Sequence, residues 1–219
     1  MKTWRILRNI FPGPVIRTVY GPDAEGLENV PSEGAAVIVS NHLSYADPGF
    51  LQLAVNRQLV FVTNVRLFRR RGLSGHLMRK FMNACEAVPV DPTGGSAVDS
   101  LVNAARTSLT ADQLFCLYPE GGISRDGRLH KGKTGVGRVV LATGATVVPV
   151  AILNTDLILP PARRAPALQR ARIRVGRPLD FSGWSASPED WGTARAVTDE
   201  IMRELHRLSG RDYVDRYVH

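Results

Sequence analysis

Short apolar runs rich in valine and isoleucine alternate along this sequence with longer segments whose apolar residues recur at helical spacing. Ala35–Ser40 and Val147–Leu153 are continuous apolar runs, a pattern typical of strands that are buried on both faces of a sheet. Strands that alternate with helices predict an α/β fold, and a length of 219 residues fits one domain. We therefore expect a single layered domain with a central, mostly parallel or mixed sheet flanked by helices.

The same periodicities predict the remaining strands and helices. Four further runs are predicted as strands, the last of them at an edge of the sheet: Leu59–Val62, Ala87–Val90, Gln113–Tyr118 and Arg172–Val175. Helices are predicted over Gly49–Val55, Leu73–Ala84, Ser96–Leu109, Gly135–Thr143 and Thr193–Leu208. Asp47 is expected to cap the first of these helices, and Gly210 is expected to end the last one.

Basic residues outnumber acidic ones, 28 against 20, and they are unevenly distributed. Residues 57–80 contain seven Lys or Arg and no acidic residue, and residues 163–177 contain six, again without an acid. Such clusters attract phosphate groups, whether in nucleic acid, in anionic lipid head groups or on a phosphorylated carrier. A generally basic surface is the alternative. Nucleic acid is disfavoured as the partner, because aromatic residues make up only 7% of the chain and no nucleic-acid-binding module is recognised.

The first residues combine apolar and basic side chains: Lys2, Trp4, Arg5, Ile6, Leu7, Arg8, Ile10 and Phe11. Basic amphipathic segments with Trp bind membrane interfaces, although a segment docked on a folded domain has the same pattern. We interpret residues 1–30 as a membrane-associating segment that precedes a folded domain over residues 31–219. The longest uncharged stretch, Val139–Thr155, is too short and too polar to cross a bilayer, so we expect peripheral attachment without a transmembrane span.

Polar residues follow two of the predicted strands at the point where each strand ends. After Ala35–Ser40 come Asn41 and His42, and Asp47 lies five residues beyond the histidine. In a turn that leads into a helix, an Asp side chain can fold back onto an imidazole, fix its tautomer and stabilise the imidazolium. Such a pair suits a general base that acts on a substrate hydroxyl. In the alternative, Asp47 only caps the helix and His42 is a turn residue that bonds to backbone groups.

The second strand end is followed by Tyr118-Pro119-Glu120-Gly121-Gly122. The two glycines let a ligand or a second segment approach closely and expose peptide N–H groups. The loop beyond them carries four cations, Arg125, Arg128, Lys131 and Lys133. A plain turn with a solvated carboxylate is the alternative. The other histidines have no carboxylate at suggestive spacing and are predicted to be surface or packing residues: His76, His130, His206 and His219.

Together these segments resemble the glycerolipid acyltransferases, the 1-acylglycerol-3-phosphate acyltransferase family. Asn41-His42 with Asp47 matches the H-x4-D signature of the family, and Tyr118-Pro119-Glu120-Gly121 is similar to its F-P-E-G motif. Other segments are similar to the second motif, to the late V-P-V strand and to the ending of bacterial members: Val88-Pro89-Val90-Asp91, Val147-Val148-Pro149-Val150 and Leu208–Val214. The blocks follow the family's order and spacing from about Gly34 onward.

The resemblance implies an acyltransferase domain over residues 31–219 that moves an acyl group from acyl-CoA or an acidic acyl carrier protein to the free hydroxyl of a lysophospholipid. His42 would deprotonate the hydroxyl, and Asp47 would orient the imidazole. No metal and no cofactor is required. The implied or neighbouring substrate-binding residues are Asn41, Glu120, Gly121, Gly122, Arg125, Lys131 and Lys133. The basic clusters would dock on an anionic membrane at its cytoplasmic face and hold the phosphates of CoA or the acidic carrier.

Several positions depart from the family motifs, and all of them bear on the acceptor. Pro92 stands where the second motif ends in Arg, Glu86 stands where it has Gly, and Ile123 replaces the Arg of the third motif. The two missing arginines are the family's usual ligands for the acceptor phosphate. We expect the neighbouring cations at 125, 131 and 133 to replace them. The alternatives are an acceptor without phosphate, such as a lyso-aminolipid or a glycolipid, and a lipid- or CoA-binding protein without turnover.

Overall fold

The computed structural model describes residues 13–68, 72–84, 87–90, 97–159, 167–184, 187 and 190–218. The α-helices of these residues are α1 (Gly13–Tyr20), α2 (Asp47–Ala54), α3 (Val65–Phe68), α4 (Gly72–Ala84), α5 (Ala97–Thr110), α6 (Gly135–Thr143), α7 (Thr155–Ile158) and α8 (Trp191–Ser209), and a short 3-10 helix covers Leu27–Asn29. The strands are β1 (Asp23–Glu25), β2 (Ala36–Ser40), β3 (Leu59–Asn64), β4 (Val88–Val90), β5 (Leu114–Leu117), β6 (Leu129–His130), β7 (Val147–Leu153), β8 (Arg172–Val175) and β9 (Tyr213–Val214).

Seven strands of the described residues form one sheet in the order β1-β8-β7-β2-β5-β3-β4. The strands from β7 to β4 are mutually parallel, β8 runs antiparallel to β7, and β1 pairs in parallel with β8. This is the predicted α/β fold with a mixed, mostly parallel sheet. Because parallel strands end at the same edge, the carboxyl ends of β2, β5 and β7 meet there, which is where open α/β sheets place their ligands.

Both faces of the sheet are covered by apolar side chains. On one face Ile38 of β2 packs in a cluster with Phe50 of α2. On the other face Phe115 of β5 packs with Val139 of α6 and Ile201 of α8. Each of these side chains is at most 5% exposed. Since alternate residues of a strand point to opposite faces, two covered faces require the continuous apolar run seen in β2.

The predicted helices and strands lie within two residues of the observed ones, and three of them match without any shift: Gly135–Thr143, Val147–Leu153 and Arg172–Val175. The prediction that Arg172–Val175 is an edge strand is wrong, because β1 pairs with the outer side of β8. The three residues of β1 are too few to show a periodicity.

The sheet therefore begins at Asp23, inside the segment 1–30 that was assigned to membrane association. Residues 1–12 of that segment lie outside the described residues, so the assignment stays a prediction. Among the helices that the structure describes, none has the length and apolar character needed to cross a bilayer.

Candidate active site

The loop that follows β2 is fixed to the neighbouring strand β7 by Asn41. Its side-chain Nδ2 donates to the Ile152 carbonyl at 2.9 Å, and its Oδ1 accepts from the Ile152 N–H at 2.8 Å. The amide thus takes the place of a peptide group in the hydrogen-bonding ladder, and Asn41 is only 1% exposed. This geometry shows Asn41 positioning the loop that carries His42, and its contact with substrate stays a prediction.

His42 and Asp47 lie together at the carboxyl edge of the sheet. The distance from His42 Nδ1 to Asp47 Oδ2 is 2.8 Å, and the same oxygen accepts the backbone N–H groups of Leu43 at 2.7 Å and Ser44 at 2.9 Å. Asp47 is completely buried, and its hydrogen bonds converge on Oδ2, whereas Oδ1 is buried without a hydrogen-bond partner among the described residues. Because the pair engages Nδ1, the imidazole Nε2 is the nitrogen left to exchange a proton with a substrate.

The prediction that Asp47 caps the following helix is wrong. Asp47 is the first residue of α2, and Ala46 occupies the N-cap position without a side-chain cap. The Asp47 carboxylate turns back onto the loop, where it accepts backbone N–H groups that precede the helix. The alternative in which this residue serves only as a helix cap is therefore excluded.

The His42 ring is also held by stacking. Tyr118, which directly follows β5, lies with its ring centroid 4.0 Å from that of His42 and with an angle of 14° between the planes. Phe61 of β3 stacks with Tyr118 at 6.4 Å. Stacking and the Asp47 contact together restrict the imidazole to one orientation, with its side chain 16% exposed.

Glu120 joins two loops of the site. Its Oε1 accepts the N–H of His42 at 3.0 Å, and its Oε2 accepts the N–H of His130 at 2.8 Å. The residue is completely buried, so the alternative of a solvated turn carboxylate is wrong. Burial raises the pKa of Glu120 to about 7, although both hydrogen bonds act in the opposite direction. The Glu120 carboxylate thus connects the His42 loop to the loop after β5 through hydrogen bonds. Its contact with an acceptor stays a prediction.

A second histidine–aspartate pair lies next to the first. His130 Nε2 is 2.9 Å from Asp126 Oδ1, and Asp126 also accepts from the Ser124 hydroxyl at 3.0 Å and from the Arg128 Nε at 2.8 Å. Burial by itself raises the pKa of Asp126, but the hydrogen bonds from His130, Arg128 and Ser124 outweigh it and hold the pKa well below its usual range. The prediction that His130 lacks a carboxylate at suggestive spacing is wrong, because Asp126 precedes it by four residues.

The structure separates the three cations that were expected to bind an acceptor phosphate. Lys131 Nζ lies 2.8 Å from Asp215 Oδ1, so its charge is already paired. Arg125 and Lys133 are exposed, and neither side chain forms an ion pair with another described residue. Glu86 and Pro92 of the second motif lie outside the described residues. Of the three cations, Arg125 and Lys133 remain available for an anion.

The glycines after Glu120 let two other segments approach. Gly121 has a φ of +72°, and an added Cβ would lie 2.9 Å from the Lys133 side chain, which crosses the turn. At Gly122 an added Cβ would lie 3.2 Å from Val218 Cγ1. The positive φ favours glycine at position 121, because the Lys133 side chain can move aside, and a larger residue at position 122 would have to shift Val218 slightly.

Residues 210–218, the C-terminal tail, hold the loop that carries the second pair. β9 of the tail pairs in parallel with β6 of the loop. Arg211 Nη2 contacts both carboxylate oxygens of Asp156, at 3.0 Å and 3.2 Å, and Arg211 Nη1 donates to the Gly127 carbonyl. Arg211 and Gly127 are 84 residues apart along the chain, so sequence patterns within one segment cannot show this contact.

Three serine hydroxyl groups near His42 are not placed to act as nucleophiles. Ser40, Ser44 and Ser124 are at most 2% exposed, and each hydroxyl donates to another group of the protein. Within the described residues, no cluster of three or more His, Cys, Asp or Glu is arranged to hold a metal ion. With Nδ1 engaged by Asp47, the arrangement at His42 leaves Nε2 to take a proton from a bound hydroxyl group.

Comparison with known proteins identifies the family to which this chain is similar. A family model described as Acyltransferase matches residues 22–153, which include both histidine–aspartate pairs. The chloroplast 1-acyl-sn-glycerol-3-phosphate acyltransferases of Arabidopsis thaliana and Brassica napus are 32% and 31% identical to this chain over 157 and 142 residues. These matches cover 71% and 64% of this chain. They cover 42% and 40% of the relatives, so the chain spans about two fifths of the length of these proteins.

A similar fold occurs in a solved structure. The crystal structure of the 1-acyl-sn-glycerophosphate acyltransferase from Thermotoga maritima aligns with a TM-score of 0.66 at 23% identity. The alignment covers 91% of this chain and 78% of that chain. At this level of identity the likeness concerns the fold, which is the expected sheet flanked by helices.

Proposed function

The chain belongs to the glycerolipid acyltransferase family, and we propose that it transfers a fatty acyl group from a thioester donor to the free hydroxyl of a lysophospholipid. The observation that carries this proposal is the pair of His42 and Asp47, whose Nδ1 and Oδ2 atoms are 2.8 Å apart. Asp47 is buried and anchored by backbone N–H groups, so the imidazole is held with Nε2 available as a base.

In the proposed reaction, His42 accepts one proton from the acceptor hydroxyl and later donates it to the leaving thiolate. Nε2 removes the proton of the acceptor hydroxyl while the hydroxyl oxygen attacks the thioester carbonyl. The C–O bond forms, the tetrahedral adduct collapses with loss of the C–S bond, and the imidazolium returns the proton to the leaving thiolate. Asp47 stabilises the imidazolium between these steps. Direct transfer needs no acyl-enzyme, and the buried, engaged serines near His42 support that route.

The acceptor that we propose is 1-acylglycerol-3-phosphate, which would give phosphatidic acid for phospholipid biosynthesis. Similarity to plant proteins with this named activity supports the choice. Arg125 and Lys133 would supply the positive charge that the missing motif arginines supply elsewhere in the family. A lysine binds phosphate as a point charge without the two-pronged geometry of arginine, so we expect a weaker phosphate site. The donor is acyl-CoA or an acyl carrier protein.

A lysolipid without phosphate at this position is the second candidate acceptor. Two observations favour it: Ile123 stands at the motif position that usually carries arginine, and the Lys131 charge is paired with Asp215. A lyso-aminolipid or a glycolipid has no phosphate at this position, so it would not need the positive charge that this site lacks. The catalytic role of His42 is the same for both acceptors.

We place the reaction at the cytoplasmic face of the membrane, with the protein attached peripherally. The amphipathic, basic pattern of residues 1–11 and the cation-rich segments 57–80 and 163–177 support this placement.

Release of free CoA thiol from oleoyl-CoA, with and without lysophosphatidic acid, tests the proposal. We expect acceptor-dependent release by the wild type and a loss of roughly 10²–10⁴-fold in His42→Ala. If oleoyl-CoA is hydrolysed slowly, in a His42-dependent way and without response to lysophosphatidic acid, His42 is still supported as the base. Acceptors without phosphate would then be tested. If neither protein turns over while CoA still binds, the enzyme proposal fails in favour of a binding protein.

The phosphate site is tested by charge removal at two exposed positions. Arg125→Gln and Lys133→Gln are expected to raise KM for lysophosphatidic acid roughly tenfold each, with kcat nearly unchanged, because each contributes a charged hydrogen bond to the phosphate. Arg177→Gln, at an exposed cation of segment 163–177, is the matched control. An unchanged KM in both variants would remove these cations from the acceptor site.

A further inference from the structure

A cavity of about 450 Å³ lies beside β7 and β8 and does not include any residue of the histidine–aspartate pairs. Its lining comes from the end of α1, from the turn after β7 and from the residues that lead into β8: Val19, Asn154, Leu168, Gln169, Arg170 and Arg172. The turn after β7 is at the same carboxyl edge of the sheet as the His42 loop, because β2 and β7 are parallel neighbours.

The cavity carries positive charge that the described part of the chain does not neutralise. Arg170 and Arg172 are both exposed, and neither guanidinium forms an ion pair or a hydrogen bond with another described residue. Asp23 is opposite Arg172 in the β1–β8 register but makes no ion pair with it. The carboxylate of Asp156, in α7, is engaged by Arg211. Two cations thus face the cavity without a partner among the described residues, an arrangement that attracts an anion.

Large apolar side chains are exposed beside these cations. Leu168 is 80% exposed, Leu157 of α7 is 54% exposed, and Val19 is 39% exposed. Leu157 does not line the cavity, but its backbone lies close to it, because its N–H donates to the carbonyl of the lining residue Asn154 at 3.1 Å. Exposed leucines next to unpaired arginines suit a lipid–water interface, where the cation meets phosphate and the apolar side chain enters the bilayer. Among the described residues that line the cavity, none has an aromatic ring on which a nucleotide base would stack.

We propose that this cavity binds the phosphate of an anionic membrane phospholipid, with Leu168 and Leu157 inserted into the bilayer next to it. Arg170 and Arg172 hold the phosphate as a pair of forked donors. Docking at this site turns the carboxyl edge of the sheet toward the membrane. The site does not depend on the chemistry at His42, so it would also operate in a protein without turnover.

Flotation of the full chain with vesicles tests the site. We expect the wild type to partition onto vesicles of phosphatidylcholine with about one third phosphatidic acid, and the double variant Arg170→Gln/Arg172→Gln to partition roughly 30-fold more weakly. Leu168→Ser is expected to weaken partition roughly tenfold, since a leucine would no longer be buried in lipid. His42→Ala is expected to bind like the wild type, which separates this proposal from the catalytic one.

The matched control removes the same charge elsewhere. Arg177 lies five residues beyond Arg172, about 16 Å further along an extended chain, and Arg203 is an exposed residue of α8. Arg177→Gln/Arg203→Gln is expected to bind within about twofold of the wild type, because salt screens charges outside the contact over roughly 8 Å. The side chains replaced in the arginine and leucine variants are exposed, so the melting temperatures of these variants are expected to be unchanged, which shows that they are folded.

Three results would overturn the proposal. If the wild-type protein does not float with anionic vesicles, the cavity does not bind an anionic membrane phospholipid. Equal partition of the cavity and control double variants would assign binding to other residues. A cavity variant that floats normally but loses binding of coenzyme A or of an acidic acyl carrier protein, measured by calorimetry, would assign the cavity to the donor.

Discussion

Two histidine–aspartate pairs lie side by side in this protein, and their distances are nearly equal, at 2.8 Å for His42 with Asp47 and 2.9 Å for His130 with Asp126. Glu120 accepts a backbone N–H from both histidines. The surroundings of the two aspartates differ. The Asp47 side chain is fully buried and accepts two loop N–H groups, whereas the Asp126 side chain is 37% exposed and shared with an arginine.

The two pairs also use different ring nitrogens. Asp47 engages Nδ1 of His42, and the remaining Nε2 is at the outer end of the imidazole. Asp126 engages Nε2 of His130, and the remaining Nδ1 is buried without a hydrogen-bond partner. A base must present its second nitrogen to the substrate. The contact distance is nearly the same in the two pairs, so the proposal that His42 is the base rests on which ring nitrogen its aspartate leaves without a partner.

The largest expected effect separates the two histidines. His42→Ala is expected to lower kcat roughly 10²–10⁴-fold, because the proton acceptor is removed. His130→Ala is expected to change kcat by less than about threefold, since its free nitrogen faces the protein interior and transfers no proton. Steady-state thiol release under the same conditions measures both. An equal loss of kcat in the two variants would mean that both pairs contribute to catalysis, which would contradict the proposed difference between them.

The second effect separates the two aspartates. Asp47→Asn keeps the size of the side chain but removes the charge that stabilises the imidazolium, so we expect kcat to fall roughly 10²–10³-fold. Asp126→Asn is the matched control and is expected to leave kcat within about threefold, because its histidine transfers no proton. The variants are compared by the dependence of kcat on pH. A wild-type rate in Asp47→Asn would remove this residue from the mechanism.

The difference between the pairs also explains which of them could be predicted from the sequence. His42 and Asp47 belong to one short loop between a strand and a helix. Their residue types and the strand end suggested the pair, and the resemblance to the H-x4-D signature favoured it over a plain helix cap. The spacing of His130 and Asp126 was equally visible, but an irregular loop gives no reason for two side chains four residues apart to meet. The tail residue Arg211, 84 residues from Gly127, holds that loop in place.

Glu120 shows a further limit of sequence reasoning. The proline and glycines around it predict a constrained turn, and the turn was found. Its burial could not be predicted, because its partners are backbone N–H groups 78 and 10 residues away. Almost every residue has such a group, so the residue types do not show which ones are the partners. The same holds for Asn41, whose amide pairs with the backbone of Ile152, 111 residues away.

The third prediction concerns this shared carboxylate and the pH dependence of stability. The pKa of Glu120 rises from 4.5 to about 7 on folding, so the folded chain binds more protons between these values. The stabilising effect of the protonated form is complete below pH 4.5 and is lost as pH rises through about 7. The free energy of unfolding is therefore expected to fall by roughly 3 kcal/mol over this range. Urea unfolding at a series of pH values measures it.

Glu120→Gln is neutral at every pH and is expected to lack this slope. Glu33→Gln is the matched control, because Glu33 is exposed and its replacement is expected to leave the slope unchanged. A Glu120→Gln variant that keeps the slope of the wild type would show that other groups, and not the carboxylate between the two histidine loops, cause the pH dependence.

The smallest expected effect is on the stability of the second pair. The pKa of Asp126 lies below its usual range in the folded chain, so its contribution is present above the unfolded pKa and is lost as pH falls through the folded one. Asp126→Asn is expected to lower the free energy of unfolding at neutral pH by about 1 kcal/mol or less, because water screens a side chain that is more than one third exposed. Asp180→Asn, at another exposed carboxylate, is the control. A loss of several kcal/mol in Asp126→Asn would mean that this pair, although exposed, anchors the site as firmly as the buried one.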